Sequence, residues 1–66
     1  MTTAEVQQRL VRIASEAKVR DYEAATVEER RLFVDLLAAV SEGLAGPEQC
    51  REALLSSGLH FPRFPF

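Results

Sequence analysis

Thr26-Val27-Glu28-Glu29-Arg30-Arg31-Leu32-Phe33-Val34-Asp35-Leu36-Leu37-Ala38-Ala39-Val40-Ser41-Glu42-Gly43-Leu44 is the stretch that decides the fold. It opens on a Thr with Glu at the third helical position. That is a capping box, in which a hydroxyl and a carboxylate satisfy free backbone N–H groups. It closes on Gly43-Leu44, the pattern of a helix stopped by a left-handed glycine and an apolar contact. Between the two signals, Leu32, Phe33, Leu36, Leu37, Ala39, Val40 and Leu44 fill nearly half of a helical wheel. Val34 and Ala38 carry the apolar surface further round, and the charged strip is narrow: Glu28, Arg31, Asp35 and Glu42. A helix apolar over most of its girth is buried on several sides. The stretch therefore predicts a central helix over about 27–43 that needs more cover than a short chain supplies.

Upstream, Thr2 and Glu5 form a second capping-box pattern. Val6, Leu10, Ile13 and Ala17 recur at four- and three-residue steps as one apolar seam, flanked by the small Ala14 and Ala24. Glu5–Arg9, Arg12–Glu16 and Glu16–Arg20 are i,i+4 pairs on the other face. These features predict a first helix over about 3–24. Downstream, Gly46-Pro47-Glu48 reads as a turn and a helix start, with Pro at the first position and an acid at the positive end of the dipole. A short third helix follows over about 47–57, with Cys50, Ala53 and Leu54 on one face, and stops at Gly58-Leu59.

The expected class is all-α: a small helical hairpin or three-helix domain over 1–59, followed by an extended Phe/Pro tail over 60–66. The chain has 66 residues, one domain near the lower size limit for a self-sufficient core. With one cysteine and one histidine it has no disulfide and no basis for a His/Cys metal site, so neither metal nor cofactor is expected. The usual staples of a small fold being absent, the reading favours a homo-oligomer, most simply a dimer. Two hairpins would form its four-helix core, with Leu32, Phe33, Leu36, Leu37 and Val40 at the centre.

Ten acidic and eight basic residues are interspersed, for a net charge of −2. That balance gives no electrostatic footprint for nucleic acid or an anionic membrane. A helix-turn-helix is disfavoured because Glu48 and Glu52 would face the phosphates with only Arg51 to offset them. The first residues lack a signal-peptide pattern, and the apolar run Leu36–Val40 is too short to span a bilayer. A cytoplasmic protein of bacterial or phage type is expected, with its thiol reduced.

The tail, His60-Phe61-Pro62-Arg63-Phe64-Pro65-Phe66, holds three of the four phenylalanines. Burying one is worth about 1.5–3 kcal/mol, so three left in water would be a costly arrangement. The tail closes its own core, inserts into a neighbouring copy or docks on another protein; the first reading is favoured. The other two make Phe61, Phe64 and Phe66, with Phe33 and Leu37 of the central helix, candidate partner-binding residues. Lys18, Tyr22, Arg30 and Arg31 cluster at the expected hairpin end, where a small anionic or nucleotide-like ligand could sit. Interleaved Asp21, Glu23, Glu28 and Glu29 make a solvated mixed-charge end the favoured reading there. Cys50 reads as a small buried hydrophobe and His60 as a packing or capping residue, and no catalytic constellation is present. The sequence thus points to a non-enzymatic protein–protein interaction module, a small regulator, inhibitor or accessory subunit of a larger protein. The alternative is a ligand-sequestering protein using the basic hairpin end.

Overall fold

The Thr2–Glu5 capping box forms as its spacing predicts. The Glu5 amide donates to Thr2 Oγ1 at 3.2 Å and the Thr2 amide to Glu5 Oε1 at 3.3 Å. It starts α1, Thr3–Lys18, in a computed structural model that describes residues 1–64. α2 spans Tyr22–Ser41, α3 spans Pro47–Ala53, and a 3-10 turn over Leu54–Gly58 leads into the tail. The all-α class is borne out, with no strand among the described residues.

The first helix boundary differs from the expectation. α1 stops at Lys18 rather than running to residue 24, because Arg20 adopts a left-handed backbone with φ 64°. The Arg20 amide donates to Ala17 O at 3.0 Å and the Asp21 amide to Glu16 O at 2.9 Å. This is the Schellman arrangement that usually takes glycine. Asp21 then caps α2 by accepting from the Ala24 amide at 3.3 Å. The second helix therefore begins four residues before Thr26, and the Thr26–Glu29 pattern does not cap it. Thr26 is buried within the first turns, and its hydroxyl donates to Tyr22 O at 2.7 Å. The other end of α2 follows the sequence signal. Gly43 has φ 75°, and the Leu44 amide donates to Ala39 O at 2.8 Å.

The tight turn at 19–21 folds α2 back along α1. Arg9 pairs with Asp35 at 2.8 Å and Arg12 with Glu28 at 3.6 Å, and the Met1 amine donates to Leu44 O at 2.8 Å. Partners that descend along α2 as they rise along α1 define an antiparallel hairpin. Arg9 thus bridges to α2 instead of pairing with Glu5, while the Arg12–Glu16 pair forms at 3.2 Å. At the head of α3, Gln49 accepts from the Gly46 amide at 2.8 Å and donates to Thr3 Oγ1 at 3.2 Å. These two bonds tie the third helix to the beginning of the first.

From there α3, the 3-10 turn and the tail run back along α2 toward the hairpin end. Val6, Ile13, Ala25, Leu32, Leu36, Ala53 and Phe61 are buried between the three strips. Leu10, Ala17, Tyr22, Cys50 and Leu59 pack around them, half-buried. Leu32 and Leu36 therefore belong to the core of a single chain and are not available for the dimer seam expected of them.

Candidate functional site

Arg63 explains why the last described residues keep to the surface of α2. Its guanidinium has five N–H donors in a rigid fork. Nε and Nη2 grip Glu29 at 3.1 and 2.8 Å. The remaining donors reach the carbonyls of Leu59 at 2.9 Å, Phe61 at 2.8 Å and Ser56 at 3.1 Å. The same group lies 3.7 Å above the Phe61 ring centre, and Phe61 stacks on Tyr22 with centroids 6.4 Å apart. The pKa of Arg63 is raised, chiefly by its hydrogen bonds to Glu29; burial opposes the rise and the Glu29 charge assists it. One turn toward the start of α2, Thr26 Oγ1 accepts from the Phe64 amide at 3.2 Å.

These contacts separate the tail residues singled out from the sequence. Phe61 is only 7% exposed and lies in this chain's own core. Phe64 is held by its backbone with its ring partly exposed. Phe66 lies outside the described residues. The sequence reading missed Arg63 altogether. Its one legible signal was a single cation inside an apolar tail, with Glu29 on the helix that the tail had to cover.

The other partner-binding candidates lie on the open side of α2. Its core face is formed by Ala25, Leu32 and Leu36, and the tail covers the side of Thr26 and Glu29. What remains is an open strip of Val34 and Leu37, continued by the half-buried Val27 and flanked by Phe33 and Val40. Val34 is 59% and Leu37 69% exposed. Val27, Arg30, Arg31, Val34 and Asp35 line an open depression of about 390 Å³ on this face. Beside it, Phe33, Leu36, Leu37, Cys50, Ala53 and Leu54 line an apolar groove of about 280 Å³. The sequence marked Phe33 and Leu37 as partner-binding candidates and placed Val34 only where the apolar surface runs further round the helix. With α1 and α3 in place, Val34 lies at the middle of the open face.

Of the ligand-binding candidates, Arg30 and Arg31 meet in the depression, where Asp35 joins them. Tyr22 lies elsewhere, against Phe61, and Lys18 is exposed at the end of α1; neither lines the depression. Arg31 also stands 3.9 Å from Glu28. Cys50 is half-buried in the groove wall, and His60 is exposed. Among the described residues no group of three or more His, Cys, Asp or Glu side chains could hold a metal ion, and no helix is long and apolar enough to cross a membrane.

Comparison of the chain with protein-family models, with curated proteins and with solved structures finds no match. The functional reading therefore rests on the geometry of this molecule.

Proposed function

We propose that this protein is a non-enzymatic interaction module, a small regulator or accessory subunit, whose working surface is the open face of α2. The observation that carries the proposal is the exposed pair Val34 and Leu37 on the side of α2 away from its core face, continued by the half-buried Val27 and flanked on one side by the more shielded Phe33 and Val40. Single exposed apolar residues are ordinary, but a contiguous strip along one helix marks a binding face. Full contact over Val34 and Leu37 would remove side chains from water at about 1.5–3 kcal/mol each. Phe61 serves the fold rather than the surface, because it is already buried in the chain's own core.

The test is co-purification. A tagged chain and its Val34→Asp/Leu37→Asp variant are expressed at native level in the source organism, and the recovered polypeptides are quantified. Both substituted positions are exposed, so the circular dichroism of the two proteins should coincide. One polypeptide, this chain or another, is expected in stoichiometric amount with the parent and lost with the variant. Equal recovery with both contradicts the proposal.

A further inference from the structure

Resting on that reading of the open face, we infer that its occupant is a second copy of this chain, packed as an antiparallel α2–α2 pair about a two-fold axis between Val34 and Leu37. The row is its own complement. Positions 27, 34 and 41 alternate with 30, 37 and 44 at three- and four-residue steps, the spacing of a helix seam that packs on another helix. Turning a copy end for end about the axis sets Val34 against the partner's Leu37. The same operation sets Val27 against the partner's Leu44, just past the end of α2, and Arg30 against the partner's Ser41.

Both flanks agree with this register. On one, Phe33 comes beside the partner's Val40, and these side chains are 36% and 40% exposed in the single chain. On the other, Arg31 comes within a side chain's reach of the partner's Glu42. The last turn of α2 has no basic residue of its own, although the negative end of a helix dipole favours a cation there. The antiparallel copy supplies one, and the two-fold axis makes the contact occur twice. A parallel pairing would turn the Arg31 flank of each helix toward the opposite flank of its partner, so Arg31 and Glu42 would not meet.

The open depression on this face has Val27 and Val34 in its lining, with Arg30, Arg31 and Asp35 beside them. The axis thus lies on the face opposite Leu32 and Leu36, so each copy keeps its own core. The resulting assembly places two α2 helices at the centre, each backed by its own α1.

Sedimentation equilibrium on the full chain tests the inference, up to about 1 mM protein, where even weak pairs associate. The expected species has twice the chain mass of 7.4 kDa. Val34→Asp/Leu37→Asp should weaken the dimer by at least about a hundredfold, the effect of placing charge at an interface centre. Glu42→Lys gives a second readout of opposite sign. It should weaken the dimer about tenfold by facing Arg31 of the partner with like charge, while raising the melting temperature of the dilute monomer by favouring the helix dipole. A monomer at the highest concentration overturns the inference. So does a dimer indifferent to Val34→Asp/Leu37→Asp, or one tightened by Glu42→Lys. If the parent is monomeric but its co-purifying protein is lost with the double Asp variant, the second copy is wrong and the open face stands. If the variant changes neither measurement, both are wrong.

Discussion

Arg20 and Arg63 are the residues whose roles the sequence concealed, for opposite reasons. Arg20 occupies a left-handed position, φ 64°, that costs a residue with a Cβ roughly 1–2 kcal/mol and glycine almost nothing. Arg20→Gly is expected to raise stability by about 0.5–1 kcal/mol, part of the relieved strain being lost to the greater freedom of the unfolded chain. The urea midpoint checks it, and Gly43→Ala, at φ 75°, should shift that midpoint the other way. Arg63 does its work through a long-range pairing with Glu29 and through three nearby carbonyls, and the Glu29 pairing is one that no local pattern announces. Arg63→Ala should cost about 2 kcal/mol, an amount moderated by the partial exposure of the pair. Arg63→Lys should recover little of it, because an ammonium cannot reproduce the planar fork. Equal stability of the Lys variant and the parent would show that the charge alone matters.

At the scale of elements, the interiors of the helices were legible and one junction was not. The 3.6-residue recurrence of Val6, Leu10, Ile13 and Ala17 placed α1, and Gly43-Leu44 and Gly46-Pro47 placed the end of α2 and the start of α3. The α1–α2 turn has neither Gly nor Pro, so the helical pattern ran on past it to Ala24. Thr26 and Glu29 then resembled a cap, although Glu29 is committed to Arg63 and Thr26 to the Tyr22 carbonyl and the Phe64 amide. Asp21, the residue that does cap α2, was noticed only as a charge that would weaken an anion site. Asp21→Ala is expected to cost about 1 kcal/mol, the usual loss for an N-cap, with helix content reduced in the first turn of α2. Amide exchange at Glu23 and Ala24 measures it directly. Protection unchanged from the parent would mean that tertiary contacts hold the turn without its cap.

For the whole molecule, the surplus apolar surface of α2 was legible, but its location was not. A wheel gives the width of an apolar arc; it cannot say which part of the arc the rest of the chain covers. α1, α3 and the tail cover Ala25, Leu32 and Leu36, which takes Leu32 and Leu36 out of the expected centre of Leu32, Phe33, Leu36, Leu37 and Val40 and leaves Val34 and Leu37 as the most open large apolar residues of α2. The tail contributes Phe61 to that covering, so Phe61→Ala is expected to cost about 3–4 kcal/mol. That is a large share of the stability of so small a domain, and it shows as a lower urea midpoint. The most direct measurement of the central claim is a dilution series of amide and methyl NMR spectra between about 1 mM and about 10 μM, a range that brackets weak and moderate association. Concentration-dependent shifts should centre on Val34 and Leu37 and extend to Val27, Arg30, Arg31, Phe33, Val40, Ser41, Glu42 and Leu44, with the core signals of Val6, Ile13 and Leu32 unmoved. Spectra that do not change, or changes centred on Cys50, Leu54 and the tail, would contradict it.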